Sequence, residues 1–260
     1  MTARRPTGRA GPRASEKGDA SVLAWLLEPE NPSVRYFALR DLAGRRVSDR
    51  DLEQAKAAIM TEGPVPRLLT QQKSAGNWGP AEDFYIRTKY WGTVWTFILL
   101  AELGADGRDE RVRKACEFLF RWSQDRASGG FAYRGSASGG GQHSAVIPCL
   151  TGNIVWGLIR FGSLEDPRVQ EAVDWIVRYT RFDDGDGPAP KGWPYDKKEM
   201  CYGRHTCLPG IVKPLKALAE IPVARRSVGV RRTIEQSVEF LVRHRLYKKS
   251  HALSCIAKPI

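Results

Sequence analysis

The chain has 260 residues, of which 42% are hydrophobic, and its formal net charge is +12 at pH 7. This hydrophobic content is sufficient for a packed core, and no apolar run approaches the roughly 18 residues that span a bilayer. Five cysteines exclude a dense disulfide scaffold, so clustered cysteines in this chain indicate metal ligands or core residues of a protein in a reducing compartment.

The N-terminal segment, residues 1–20, is basic and rich in Gly, Pro and Ala. It lacks the apolar region of a signal peptide, so the sequence predicts a disordered basic tail on a cytoplasmic protein. Most of the remaining excess of positive charge lies in residues 225–260. No RNP, helix-turn-helix or zinc-finger spacing is present, and this distribution favours solvated surface charge over a nucleic-acid site.

Three segments of the chain repeat one plan, which is an apolar helix, a short turn and an amphipathic helix. Val112 aligns with Val169, and Phe118 aligns with Trp175, both at a separation of 57 residues. Self-similarity at such a period predicts stacked helical hairpins. We predict apolar helices at 93–103, 151–161 and 208–220, and amphipathic helices at 109–123, 166–180 and 228–245.

Cap residues mark the ends of these helices. Asp109 and Asp166 stand where a carboxylate caps free N–H groups, and Gly104 and Gly162 stand at C-terminal stops. Strand-like alternation is missing, so we predict an all-α protein.

An inner apolar layer inside an outer amphipathic layer predicts an α/α toroid for residues 21–260. Six hairpins would need well over 300 residues, and this chain supplies roughly four. The toroid is therefore a partial or open barrel of hairpin repeats, or the chain is truncated at its C-terminal end.

The loops after the outer helices carry Gln or Gly-Gly with an aromatic residue, in the stretches QQKSAGNWG, SQDRASGGFAY and KGWPY. This pattern resembles the repeat of the terpenoid cyclase and protein prenyltransferase toroid family over about residues 64–246. The resemblance implies an isoprenoid-handling protein that binds an apolar prenyl-type substrate among its inner helices. A fold hosts many functions, so the alternative is a non-catalytic, zinc-stabilised binding or scaffold module. Whether the protein is an enzyme, and whether it has a protein partner, stays open.

The prenyltransferase branch of that family holds zinc with an Asp and a Cys at the head of one inner helix and a His at the head of the next. Cys149 and His205 stand in the matching positions, while Ile147 replaces the Asp. Cys201 and Cys207 flank the histidine and offer soft replacement ligands. The resemblance thus implies a zinc site of Cys149, Cys201, His205 and Cys207. The other interpretation of these cysteines, as small core residues, stays open.

The stretch FDDGDG holds Asp183, Asp184 and Asp186. The class II terpene cyclases protonate an alkene with an Asp-x-Asp-Asp acid, but the order here is Asp-Asp-x-Asp. We therefore do not assign the catalytic acid to this chain. We interpret the three carboxylates as solvated turn residues or as contacts for a cation or a metal-bound diphosphate.

Aromatic residues of the inner helices are predicted to line the substrate cavity, where their π faces would stabilise a carbocation. Aromatic rings on buried helices also serve as core, and that alternative stays open. The predicted substrate-binding residues are Tyr90, Trp91, Trp95, Trp156, Asp183, Asp184 and Asp186.

Overall fold

The computed structural model describes residues 22–44, 47–185, 188, 190–196, 201–203 and 205–249. These residues form helices and loops, with only isolated β-bridges and no β-strand, so the all-α prediction is confirmed for this part of the chain. The predicted tail, residues 1–20, lies outside the described residues, as does Asp186. None of the helices in the described ranges is long and apolar enough to cross a membrane.

The chain divides into two compact units, of which the first ends at Arg67 and the second begins at Leu68. After the helical residues 22–26, the first unit contains α1 (Pro32–Asp41) and α2 (Asp49–Thr61), which pack together. Ser48 caps α2 because its Oγ accepts a hydrogen bond from the backbone N–H of Asp51 at 3.1 Å. Helix α3 (Pro64–Thr70) begins in the first unit and ends in the second.

The second unit contains three helical hairpins. The members of each hairpin contact each other, and the described helices are α4 (Thr93–Glu102) with α5 (Glu110–Trp122), α6 (Pro148–Arg160) with α7 (Pro167–Tyr179), and α8 (Pro209–Glu220) with α9 (Val228–Arg243). All six helices begin and end within three residues of the positions predicted from the sequence. The predicted caps form as well, since Asp109 accepts from the N–H of Arg111 at 2.8 Å and Asp166 accepts from the N–H of Arg168 at 2.9 Å.

The first helices of the three hairpins pack side by side in the order α4, α6, α8. Helix α6 is buried on all sides, as predicted, whereas α4 and α8 leave Leu99 and Val212 exposed. Glycine allows the closest approach in this layer, because a Cβ on Gly152 would lie 2.4 Å from the backbone N of Pro214 in α8. The three hairpins are thus held together mainly through α6.

Equivalent loops of the first two repeats make the same hydrogen bonds. Gln72 Nε2 donates to the carbonyls of Gly76 at 3.1 Å and Arg111 at 2.8 Å. Gln124 Nε2 donates in the same way to the carbonyls of Gly129 at 3.1 Å and Arg168 at 2.7 Å. Each glutamine therefore ties its loop to the first turn of the next outer helix, and the sequence repeat is a structural repeat.

The aromatic residues of these loops are also held alike. Thr93 Oγ1 accepts from the N–H of Trp78 at 3.1 Å, and Thr151 Oγ1 accepts from the N–H of Phe131 at 2.9 Å. Both aromatic side chains are buried, as structural residues of a repeat should be. These contacts fix where α4 and α6 begin relative to the preceding loops.

Candidate functional site

Three of the four predicted zinc ligands are cysteines whose thiols lie in contact. Cys149 is the second residue of α6, and Cys207 lies two residues before Pro209, the first residue of α8. The Cys201 thiol forms hydrogen bonds with both Cys149 and Cys207. The fold therefore brings together sulfurs that are about 50 residues apart in sequence, because α6 and α8 begin side by side.

In this arrangement the pKa values of the three thiols shift in different directions. Hydrogen bonding from the Cys201 thiol lowers the pKa of Cys207 to about 6 and also lowers the pKa of Cys149. The pKa of Cys201 is raised because its hydrogen bonds to the two neighbouring sulfurs favour its protonated form. Backbone N–H groups at the helix starts, from Leu150 and Gly210, add to the stabilisation of the two outer thiolates. Cys207, with a pKa of about 6, is thus the thiol of the three that ionises most readily near neutral pH.

His205 lines the same small cavity as Cys201 and Cys207. Its Nδ1 lies 3.2 Å from the backbone carbonyl oxygen of Asp184, and a carbonyl can only accept, so Nδ1 carries the proton. In this tautomer the lone pair is on Nε2, which is the arrangement that metal-binding histidines use when a carbonyl orients them.

The cavity beside these residues has a volume of about 20 Å³. A single water or ion fits such a space, since a water needs about 10–15 Å³, but an isoprenoid chain does not. In the part of the chain that the structure describes, no group of three or more His, Cys, Asp or Glu side chains is arranged to hold a metal ion.

The acidic loop before this site is held by neighbouring side chains. Burial disfavours the charge on Asp183, but the Arg181 guanidinium, 2.7 Å away, outweighs it and the pKa of Asp183 is lowered. Arg181 also donates to the carbonyl of Gly203 at 2.9 Å, and Thr206 Oγ1 accepts from the N–H of Asp184 at 3.2 Å. Asp183 and Asp184 therefore support the segment that carries Cys201 and Cys207.

Asp184 has a second contact, with the buried side chain of His244 at the end of α9. Its Oδ2 lies 3.3 Å from His244 Nε2, and its backbone adopts a left-handed φ of 50°. Asp184 Oδ1 and both ring nitrogens of His244 are buried without a hydrogen-bond partner. This pair links the acidic loop to α9, and the sequence analysis did not identify it because nothing in the sequence connects the two positions.

Two of the four predicted aromatic residues lie in contact. Tyr90 contacts Trp95, with ring centroids 5.3 Å apart, near the start of α4. Tyr90 and Trp91 are both exposed. Trp156 is buried seven residues beyond Cys149, about 10 Å along α6, and Lys216 Nζ lies 3.5 Å from its ring centroid. A cavity lined by all four rings stays a prediction.

No protein-family model matches the chain, and a comparison with curated proteins finds no match. The function must therefore be inferred from the site itself.

Three residues beside the cysteines were missed in the sequence. Tyr85 forms a hydrogen bond with Cys149, and its ring stacks on Trp95 with centroids 5.5 Å apart. Tyr202 donates its hydroxyl to the carbonyl of Val146 at 2.8 Å, which fixes the residue next to Cys201. Arg181 stands where the first two repeats have Gln72 and Gln124, and this departure from the repeat was the signal in the sequence that could have identified the arginine.

Proposed function

We propose that Cys149, Cys201 and Cys207, with His205 as the fourth ligand, bind a structural zinc ion. The observation that carries the proposal is the contact of three thiols from two chain segments beside a cavity of about 20 Å³. Three thiolates and an imidazole are soft donors, and they bind zinc in preference to harder metal ions. Ile147, at the position of the family's Asp, is buried and apolar and cannot be a ligand.

The metal would fasten the loop of residues 201–207 to the first turn of α6. This loop lacks regular secondary structure in its described residues, whereas Cys149 belongs to a fully buried helix. Bound zinc would hold the thiols as thiolates and replace their mutual hydrogen bonds by stronger bonds. Four protein ligands leave no open position for a reacting group, so the site favours a zinc-stabilised binding or scaffold module over an enzyme.

We extend the proposal to the arrangement of the hairpins, which we interpret as a partial α/α toroid. Two observations support it: α4, α6 and α8 are sequential neighbours in one layer, and the loops of the first two repeats make equivalent hydrogen bonds. A solenoid-like stack of hairpins also satisfies these contacts, but the alternation of an apolar with an amphipathic helix favours an inner and an outer layer.

Zinc content of the purified full chain tests the proposal. We expect one zinc per chain, which Cys201→Ser abolishes because it removes the sulfur in contact with both others. Cys116→Ala is the matched control, since Cys116 is a buried core cysteine whose pKa burial raises to about 12, and this variant should retain its zinc. Full zinc content in Cys201→Ser, or none in the unaltered chain, would refute the proposal.

Isoprenoid handling is the second candidate, and the position of Tyr85 favours it. Tyr85 contacts both Cys149 and the ring of Trp95, so aromatic surface begins directly beside the thiols. A prenyl chain on these rings would place its head group near the starts of α6 and α8, whose N–H groups favour a diphosphate.

Calorimetric titration with farnesyl diphosphate separates the two candidates. The isoprenoid function predicts zinc-dependent binding that Trp95→Ala and His205→Ala weaken, while a structural site predicts no binding at all. Absence of binding to a zinc-loaded chain would therefore eliminate the second candidate and leave the first intact.

A further inference from the structure

The loop before α4 exposes three large apolar side chains within six residues. Ile86, Tyr90 and Trp91 are 49%, 75% and 56% exposed. Scattered exposed apolar residues are normal, but three within six positions form a patch of the kind that marks an interaction site. We call residues 86–91 the aromatic loop.

The backbone of this loop is anchored from within. Phe84 is fully buried, and Thr88 is buried and donates its hydroxyl to the carbonyl of Asp83 at 2.8 Å. Anchoring at these two positions leaves Ile86 between them, and Tyr90 and Trp91 after them, exposed. The exposure of Ile86 and Tyr90 is therefore a property of a packed structure.

The aromatic side chains of the loop are held in place. Trp91 lies against Gly79, where an added Cβ would come within 2.6 Å of the ring, and Tyr90 packs against Trp95. Tyr90 adopts a left-handed φ of 75°, which aromatic residues rarely adopt. Backbone conformations of this kind cluster at functional sites, so the angle supports a function for the exposed ring.

Two cations flank the apolar side chains. The Arg87 side chain is exposed, and Lys89 is exposed with its Nζ 4.8 Å from the Tyr90 ring centroid. The nearby Asp83 carboxylate is mostly buried and pairs with Arg87, while Glu82 is exposed before the loop begins. The chain as a whole carries a net charge of +12. The charges of residues 82–89 balance, and Lys89 is the exposed cation of the loop for which the described residues provide no ion pair, so an anionic surface would be attracted by Lys89 and by the net charge of the whole chain.

We propose that the aromatic loop docks on an anionic lipid surface. Trp and Tyr side chains favour the interface between head groups and acyl chains, and an aliphatic side chain such as Ile86 partitions into the acyl region. Arg87 and Lys89 then pair with anionic head groups. Single-stranded nucleic acid would pair its phosphates with the cations and stack its bases on the rings, but it has no apolar region in which Ile86 could be buried. The proposal does not depend on the zinc site.

Co-sedimentation with vesicles tests the proposal. The full chain should bind vesicles of phosphatidylglycerol and phosphatidylcholine and not vesicles of phosphatidylcholine alone. Ile86→Ser should weaken binding about tenfold, because it removes one buried apolar side chain. The double variant Arg87→Ala/Lys89→Ala should weaken it roughly fivefold for each cation lost.

Two further variants make the test independent of folding. Tyr90→Gly removes the ring but also relieves the left-handed φ, so the chain should stay folded while its vesicle affinity falls about tenfold. Val242→Ser alters another exposed apolar residue, far along the sequence in α9, and should leave binding unchanged. If all loop variants still bind vesicles, other basic segments are responsible for the binding and the proposal is wrong. Binding of single-stranded RNA without binding of vesicles would overturn it as well.

Discussion

Removal of zinc is expected to lower the free energy of unfolding of this chain by about 4 kcal/mol when free zinc had been a thousandfold above its dissociation constant. The reason is that the unfolded chain lacks the convergence of Cys149, Cys201 and Cys207, so binding stabilises only the folded state. For a domain of this size the thermal midpoint should fall by about 8–16 °C. Thermal unfolding followed by circular dichroism, with and without a chelator, measures the change.

Two variants show whether this loss of stability arises from the proposed zinc site. Cys201→Ser should already have the lower midpoint and should not respond to the chelator, whereas Cys116→Ala should respond as the unaltered chain does. If the thermal midpoint of the unaltered chain changes neither with chelator nor with added zinc, the prediction is wrong.

Gly152→Ala is expected to destabilise the protein by about 2–3 kcal/mol, although alanine is normally the better residue in a helix. A Cβ at this position would meet the backbone of Lys213 and Pro214 at 2.4–2.8 Å. Backbone atoms cannot move aside as a flexible side chain can, so α6 and α8 must separate. Urea unfolding of the variant measures the loss.

Gly210→Ala provides the comparison within the same pair of helices. Its nearest neighbours are side-chain atoms of Pro148 and Cys207 at 3.3–3.6 Å, so its effect should be clearly smaller. Equal effects of the two substitutions would show that α6 and α8 tolerate separation. Because Cys149 lies in α6 and Cys207 lies just before α8, Gly152→Ala should weaken zinc retention in addition.

The helices were predictable because each hairpin pairs an apolar with an amphipathic segment. Asp109 and Asp166 cap their helices as predicted, and the observed bounds differ by at most three residues. The exposure of Leu99 and Val212 was not predictable in the same way, because an apolar helix does not reveal which of its faces lacks a neighbour. The separation of the first unit from the second also depends on tertiary packing that periodicity does not contain.

The site was partly predictable for a related reason. Cys149 and Cys207 lie at the starts of equivalent helices, and neighbouring repeats place such positions side by side. The contacts of Asp184 with His244 and of Arg181 with Gly203 depend on how an irregular loop folds back, which no repeat encodes. The aromatic residues were grouped by type in the sequence, and which rings share a contact, as Tyr90 and Trp95 do, depends on packing that residue type does not reveal.

X-ray absorption at the zinc edge of the purified full chain tests the proposed site most directly. We predict three sulfur neighbours at about 2.3 Å and one nitrogen at about 2.0 Å, as Cys149, Cys201, Cys207 and His205 would supply. Cys201→Ser should give no signal from bound zinc, and Cys116→Ala should keep the sulfur shell. A zinc coordinated only by oxygen and nitrogen, or a chain that takes up no zinc, would contradict the proposal.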